Sequence, residues 1–192
     1  SLDTIDRSGG WETIGRKIGD FLGGIDWGGI ITRVLNASWK MIVNGVGAFF
    51  EGGHGGELRK ALLNIYSHYP KHVSDNLMNL LGTHDTPRIL TVLGGADVDG
   101  MTNAELATYR LPTDARHCAI ERLKLASVLQ FTVFGVPSVY YGDEAGLEGG
   151  RDPFCRLPYP WGREEKDLVA HYKKLGKLRR GHSCLANGDF EL

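Results

Sequence analysis

The sequence contains three short clusters of polar residues that could take part in chemistry. In the first, at residues 82–88, His84 and Asp85 stand side by side, and Arg88 follows closely enough to pair with the carboxylate. A histidine next to a carboxylate can bind hydroxyl groups or move a proton. The same residues also suit an ordinary loop, in which Asp85 caps the next helix and Arg88 forms a structural ion pair.

The second and third clusters combine carboxylates with a guanidinium group and an aromatic ring. Asp143 and Glu144 are adjacent acids that could do acid–base work or could form a solvated turn. Asp152 and Arg156 are spaced to form a mutual ion pair, and Trp161 follows them as an apolar plate. Carboxylate, guanidinium and indole groups together suit the hydroxyls and ring faces of a sugar.

These clusters are positioned by elements that alternate between helix and strand. Apolar residues at steps of three and four predict helices over residues 57–69, 113–132 and 164–180. Short apolar runs at residues 77–82 and 136–141 predict buried parallel strands. Polar clusters follow the carboxyl ends of both strands, which is the face of a (β/α)8 barrel where chemistry takes place.

The segments outside this alternation give weaker patterns. Residues 11–26 predict an amphipathic helix, whereas the apolar stretch at residues 30–50 has an ambiguous period. A glycine-rich break at residues 52–56 separates both stretches from the rest of the chain. Residues 184–192 predict the opening of a new strand.

Composition places the chain among globular proteins. Of its 192 residues, 42% are hydrophobic and 23% are charged, and the net charge of −1 gives no basic excess for binding nucleic acid or an anionic membrane. The three cysteines form no Cys-x-x-Cys pair, so neither a zinc site nor a disulfide framework is indicated. The first residues lack the pattern of a secretory signal, and no apolar run is long enough to span a bilayer. We therefore expect a cytoplasmic protein with no nucleic-acid or membrane partner.

Three segments together carry a resemblance to a known family. Residues 79–91, NLLGTHDTPRILT, resemble the part of the α-amylase family of glycoside hydrolases that holds its His-Asp pair at the end of the seventh barrel strand. Residues 135–156, GVPSVYYGDEAGLEGGRDPFCR, resemble the eighth strand and the loop after it, and residues 109–135 resemble the helix between the two strands. The group most similar to these segments is the neopullulanase, cyclomaltodextrinase and maltogenic amylase type.

The resemblance implies roles for the residues of the polar clusters. Asp85 matches the catalytic carboxylate that stabilises the transition state, and His84 matches a neighbour that binds a hydroxyl of the sugar being cleaved. Asp152 and Arg156 match a substrate-binding pair that lines a donor subsite. Three further residues are expected to have structural roles near the site: Arg88, Asp143 and Glu144.

Only part of the family's active site has a counterpart in this sequence. Family members cleave α-glucosidic bonds with retention, using an aspartate nucleophile in an Arg-x-Asp motif and a glutamate as the general acid. No Arg-x-Asp tripeptide occurs in this sequence, and no matching glutamate is found. The Asp-x-x-x-Asn-His segment and the family's calcium ligands are not present either, and no cofactor is identified. We therefore expect little or no hydrolysis by this chain alone.

The fold class that the resemblance implies is α/β, as the C-terminal portion of a (β/α)8 TIM barrel with strands seven and eight and their helices. Residues 57–182 are assigned to this barrel portion, and residues 1–56 to a mainly helical segment of unassigned origin. Residues 183–192 are expected to start a following β-domain. Two strands taken from a closed barrel have open edges, so self-association through these edges is expected.

The function that the resemblance implies is that of part of a retaining glycosidase acting on the α-glucosidic linkages of starch-like glucans, with α-glucan oligosaccharides as partners. Hydrolysis and transglycosylation both stay open. One alternative is a non-catalytic module that binds maltooligosaccharide through His84, Asp152, Arg156 and Trp161. Another is an interaction protein that assembles through its N-terminal helices.

Overall fold

The computed structural model describes residues 55–189, so the helix expected at residues 11–26 and the apolar stretch at residues 30–50 lie outside the described part. The helices are α1 (Gly55–His68), α2 (Lys71–Ser74), α3 (Ile89–Leu93), α4 (Asn103–Thr108), α5 (Thr113–Thr132), α6 (Lys166–Gly181) and α7 (Cys184–Asn187). The strands are β1 (Met78–Leu80) and β2 (Val136–Ser138), and a 3₁₀ turn covers Phe154–Arg156. None of the helices in this part of the chain is both long and apolar enough to cross a membrane.

Helices α1, α5 and α6 confirm the three predicted helices. Helix α5 has the predicted bounds, whereas α6 begins at Lys166, later than predicted. The Glu164 carboxylate accepts a hydrogen bond from the Gly162 amide (3.1 Å), and the Glu165 amide donates to the Ala145 carbonyl (3.0 Å). These bonds hold the two glutamates in the turn that leads into the helix.

The two strands pair in parallel, as predicted, with Met78 opposite Val136. The predicted burial is wrong at these two positions, because no described element covers that part of the sheet and both side chains are exposed. Strand β2 ends at Ser138, earlier than predicted, and the Asp143 amide donates to the Tyr140 carbonyl (3.1 Å) in the turn that follows. Because the strands run in the same direction, the loops at their carboxyl ends meet on one side of the sheet. The predicted polar clusters lie in these loops.

Helix α5 forms the centre of the core and packs against α3 and α6. Ala119, Leu123 and Ala126 follow one another at steps of four and three residues and are buried on one face of α5. Leu90 of α3 and Leu168 of α6 are also completely buried. Each buried leucine stabilises the fold by about 1.5–3 kcal/mol relative to an exposed one, so these contacts fix the helices that carry the loops.

A polar side chain of α5 connects the helix to both strands. The Gln130 Nε2 donates to the Asn79 carbonyl of β1 (2.9 Å) and to the Ser138 carbonyl of β2 (2.8 Å). The Asn79 Nδ2 donates in return to the Phe134 carbonyl (2.7 Å), just beyond the end of α5. These bonds fix the position of the two strands along the axis of α5.

Arg179 of α6 closes the carboxyl end of α5. Its Nη1 donates to the Phe131 carbonyl (2.8 Å) and to the Val133 carbonyl (3.4 Å), and its Nη2 donates to the Gly135 carbonyl. The last carbonyls of a helix have no partner within the helix. A single guanidinium group therefore binds one carbonyl of the last turn of α5 and two in the segment that follows, and it holds α6 beside them.

The chain after α6 differs from the prediction, because Cys184–Asn187 form helix α7 rather than a strand. The amides of Asn187 and Gly188 donate to the carbonyls of Ser183 and Cys184 (3.0 and 2.9 Å), which closes a helical turn. The expected strand is therefore wrong over Cys184–Asn187. The boundaries of the three predicted domains stay predictions.

Candidate functional site

The turn after β1 exposes His84 and Asp85. The Thr83 amide donates to the Thr86 hydroxyl (3.2 Å), and the Asp85 amide donates to the Thr83 hydroxyl (3.3 Å). His84 Nε2 lies 3.1 Å from Asp85 Oδ2, and the two side chains are 64% and 62% exposed. The turn therefore holds the pair together and leaves both groups accessible to a ligand.

Arg156 brings the third polar cluster to the first. Its Nε lies 2.7 Å from Asp152 Oδ1, so the expected pair between these residues is confirmed. Its Nη2 lies 3.1 Å from Asp85 Oδ1, a contact that the sequence did not predict. The 3₁₀ turn places the guanidinium between the two carboxylates. We call these three residues the Asp85–Arg156–Asp152 cluster.

Arg88 does not pair with Asp85, contrary to the expectation. Its side chain is completely buried, with Nη1 donating to the Tyr141 carbonyl (2.5 Å) and lying 3.4 Å from Asp143 Oδ1. The guanidinium carbon lies 4.2 Å from the centre of the Tyr140 ring and 4.6 Å from that of Tyr141. Asp85 lies in the exposed turn, whereas Arg88 directly precedes α3 and its side chain is buried, so the two charges belong to different environments.

Asp85 does not cap α3 either, because α3 begins without a side-chain cap.

Asp143 and Glu144 support the loop after β2 rather than facing the exposed cluster. Burial raises the pKa of the Asp143 carboxyl to about 7, and the neighbouring Arg88 opposes this effect. A Cβ on Gly82 would lie 2.5 Å from Asp143 Oδ2, so a larger residue there would force the buried carboxyl to move. The Glu144 carboxylate accepts a hydrogen bond from the Gly142 amide (2.9 Å). These contacts agree with the predicted structural roles of both acids, which stay predictions.

Cys155 is a residue of the site that the sequence did not identify. It is completely buried, and its thiol donates to the His84 carbonyl (3.0 Å), which also accepts from Arg156 Nε (3.0 Å). Tyr140 was likewise not identified, although it contacts Arg88, and burial raises its pKa to about 12. No local pattern could reveal these contacts, because each joins segments that are far apart in the chain.

The loop after Arg156 adds an aromatic surface and a cavity. Trp161 is 80% exposed, and its ring lies 4.5 Å from that of Tyr159. A cavity of about 280 Å³ has Leu157, Pro160 and Arg163 in its wall. Within residues 55–189 no group of three or more histidine, cysteine or acidic side chains is arranged to hold a metal ion.

Comparison with known proteins identifies similar sequences and structures. The family model described as "Alpha amylase, catalytic domain" matches residues 57–174. The chain is 45% identical over 135 residues to an amylopullulanase of Thermoanaerobacter thermohydrosulfuricus, covering 70% of this chain and 9% of that protein. It is 37% identical over 135 residues to a cyclomaltodextrinase of Geobacillus thermopakistaniensis, covering 69% of this chain and 19% of that protein.

The solved structures of two similar proteins agree with this result. A cyclomaltodextrinase is matched with a TM-score of 0.57 at 35% identity, over 78% of this chain and 22% of that one. The type III pullulan hydrolase from Thermococcus kodakarensis is matched with a TM-score of 0.62 at 29% identity, over 78% of this chain and 24% of that one. The chain thus spans less than a quarter of the length of these relatives, which is consistent with a partial (β/α)8 barrel. Because the model of the alpha-amylase catalytic domain matches residues 57–174, the chain belongs to the alpha-amylase family.

Proposed function

We propose that this chain supplies the substrate-binding and transition-state-stabilising part of a retaining glycosidase that acts on the α-glucosidic linkages of starch-like glucans. The nucleophile and the general acid of such a site have no counterpart in these 192 residues. The chain alone is therefore expected to bind α-glucan oligosaccharides with little or no turnover. The similar proteins named amylopullulanase and cyclomaltodextrinase support the substrate class.

The observation that carries this proposal is the exposed Asp85–Arg156–Asp152 cluster beside His84. Its carboxylates accept hydrogen bonds from sugar hydroxyls, and the guanidinium and imidazole groups donate to them. All of these side chains lie at the carboxyl ends of two adjacent parallel strands, where barrel enzymes place their chemistry. In a complete site, Asp85 would hold hydroxyls of the sugar whose anomeric carbon reacts.

The first test measures binding and turnover by the 192-residue chain. Calorimetry with maltotriose is expected to show saturable binding, which Asp85→Ala and Asp152→Ala weaken. Asp114→Ala, at an exposed aspartate in the first turn of α5, is the matched control and should leave binding unchanged. Turnover of maltotriose, cyclomaltodextrin or pullulan that is clearly above the uncatalysed rate, and is lost in Asp85→Ala, would contradict the expected inactivity.

A second test supplies the catalytic groups that this sequence lacks. Residues 57–182 replace the matching segment of the Geobacillus thermopakistaniensis cyclomaltodextrinase, whose remaining sequence would provide nucleophile and acid. The chimera is expected to cleave cyclomaltodextrin, and Asp85→Ala within it is expected to lower kcat on the order of 10²–10³-fold, as loss of a transition-state contact does. A folded chimera in which Asp85→Ala leaves kcat unchanged would overturn the role of Asp85.

The exposed aromatic surface favours a second candidate function, a non-catalytic module that binds maltooligosaccharide. Trp161 is 80% exposed, and its indole can pack against the apolar face of a sugar ring. The two candidates separate in the chimera, because a pure binding remnant would bind maltotriose yet give no active enzyme. Trp161→Ala tests the surface itself, since it should weaken binding while changing stability by no more than about 0.5 kcal/mol.

A further inference from the structure

The His84 carbonyl is held by two side chains from the loop after β2. It accepts one hydrogen bond from the Cys155 thiol (3.0 Å) and one from Arg156 Nε (3.0 Å). A carbonyl oxygen has two lone pairs, so these donors use its full accepting capacity. Arg156 continues from this carbonyl to the next residue, where its Nη2 donates to Asp85 Oδ1 (3.1 Å).

We propose that Cys155 and Arg156 are positioning residues, which fix the His84–Asp85 peptide and thereby orient the Asp85 carboxylate at the end of β1. This assigns to Arg156 a task beyond the sugar contact expected for it, and it gives Cys155 a role. The geometry of the proposal stands without a bound sugar, and only its effect on ligand binding rests on the proposed function.

The rigid shape of the guanidinium group explains how Arg156 can orient the Asp85 side chain. Arg156 and Asp85 are 47% and 62% exposed, so their ion pair alone contributes little. Arginine presents its donors in a planar fork, so an Nε that lies between the His84 carbonyl (3.0 Å) and Asp152 Oδ1 (2.7 Å) also determines where Nη2 points. A lysine has three donors on one freely rotating nitrogen, so it does not fix the carboxylate relative to the carbonyl.

The buried thiol supplies the fixed point of the arrangement. Cys155 is completely buried, and burial raises the pKa of its thiol, so it keeps its proton and remains a donor. The chain just before this segment is also anchored to the loop after β1. The Gly149 carbonyl accepts from the Arg88 amide (2.9 Å), and the Gly149 amide donates to the Thr91 hydroxyl (2.9 Å).

A single NMR signal reports on this carbonyl. His84–Asp85 is the only His-Asp dipeptide in the sequence, so labelling histidine carbonyl carbons with ¹³C and aspartate amides with ¹⁵N isolates its peptide bond. Cys155→Ala and Arg156→Lys are each expected to move the ¹³C signal upfield, because each removes one hydrogen bond. Cys155→Ser keeps a donor and should move the signal less than Cys155→Ala does.

The controls are an exposed cysteine and an exposed arginine that lie outside the turn. Cys118→Ser and Arg163→Lys should leave the His84 carbonyl signal in place. The proposal is overturned if Cys155→Ala and Arg156→Lys leave the signal unmoved, or if the control substitutions move it equally.

Ligand binding separates this proposal from the proposed function. Cys155 is buried and cannot contact a sugar, so weaker maltotriose binding by Cys155→Ala, recovered in Cys155→Ser, supports positioning of Asp85. Unchanged binding by Cys155→Ala contradicts it. If the unsubstituted chain binds no maltotriose, the proposed function fails, whereas the carbonyl signal still decides whether the two side chains hold the peptide.

Discussion

At the scale of single residues, exposure separates two kinds of charge at this site. Asp85, Asp152 and Arg156 are exposed, so each of their ion pairs contributes about 0–1 kcal/mol to stability. Arg88 and Asp143 are buried, and above about pH 7, where the Asp143 carboxyl is ionised, removing one partner of such a pair costs about 3–5 kcal/mol because the other charge loses its compensation. Substitutions in the first group should therefore affect ligand binding, and those in the second should affect stability.

Asp143 makes the stability of the chain depend on pH. Its pKa rises from 3.8 to about 7 on folding, because burial disfavours the carboxylate. The folded state therefore binds a proton more tightly than the unfolded state, which stabilises the fold at low pH. This contribution to the free energy of unfolding is lost as the pH rises through about 7. Relative to Asp143→Asn, the unsubstituted chain is expected to be more stable at about pH 5 than at about pH 8, as measured by urea denaturation.

The exposed Asp99 provides the control for this measurement. Asp99→Asn should give a stability curve parallel to that of the unsubstituted chain over the same pH range. The difference in free energy of unfolding between the unsubstituted chain and Asp143→Asn should change with pH as described. If this difference stays constant, or changes in the opposite direction, burial does not determine the pKa of Asp143.

At the scale of elements, α5 positions both strands and is itself closed by α6. Gln130 contacts both strands through a single amide group, and Arg179 binds the carbonyls at the end of the helix. Each side chain makes hydrogen bonds between elements that share no backbone hydrogen bonds of a common sheet or helix. Loss of either side chain should therefore loosen the strand ends that carry the site.

Gln130→Leu tests the connection between α5 and the strands. The substitution leaves the carbonyls of Asn79 and Ser138 without this donor, and it is expected to lower the free energy of unfolding by about 1–3 kcal/mol. Urea denaturation measures the change. Leu125→Ala, at an exposed position of the same helix, is the control and should be much less costly. Equal effects of the two substitutions would contradict the proposed connection.

Arg179→Ala tests the closure of α5. It removes the hydrogen bonds from the guanidinium group to the carbonyls at and after the end of the helix, and a hydrogen bond to a charged group contributes about 1.5–3 kcal/mol. We expect the free energy of unfolding to fall by about 1.5–3 kcal/mol, as measured by thermal or urea denaturation. Arg180→Ala removes a neighbouring exposed arginine whose Nε donates to the Gly176 carbonyl of its own helix (3.3 Å), and it should change stability by less than about 0.5 kcal/mol. A reversed order of the two effects would rule out the closing role.

At the scale of the whole molecule, the paired strands leave apolar side chains in contact with water. Met78 and Val136 lie opposite each other in the sheet and are 59% and 47% exposed. Exposed apolar strands favour association with other chains. The related solved structures are several times longer than the matched region, so most of each of those chains lies outside the match.

Self-association is the resulting expectation for the isolated chain. Sedimentation velocity over a concentration series should show oligomers, and the double substitution Met78→Lys with Val136→Lys should shift the chain towards monomer by adding charge to the exposed face. The double substitution Lys173→Glu with Lys177→Glu, on the exposed side of α6, serves as a control for added charge changes. A chain that stays monomeric throughout and melts sharply above about 65 °C, the upper range of ordinary mesophile domains, would contradict the expectation.

The fold could be predicted to the extent that local patterns govern it. Helix α5 and the parallel strands follow from the pattern of apolar residues in neighbouring positions. The exposure of Met78 and Val136 does not follow from it, because exposure depends on which other elements cover the sheet. The helix at Cys184–Asn187 was missed because a four-residue turn closed by backbone hydrogen bonds leaves no such pattern. The pair of Asp152 and Arg156 was found because its members lie four residues apart.

The family, the alternation of helix and strand, and the positions of His84 and Asp85 at a strand end all follow from the order of the residues. The pairing of the charges depends on how the chain folds. Arg88 pairs with Asp143 rather than with the nearer Asp85, and Arg156 reaches Asp85 across 71 residues of sequence. The physical reason is that a charge pairs according to burial and the approach of distant loops, and neither property is encoded in the spacing of neighbouring residues.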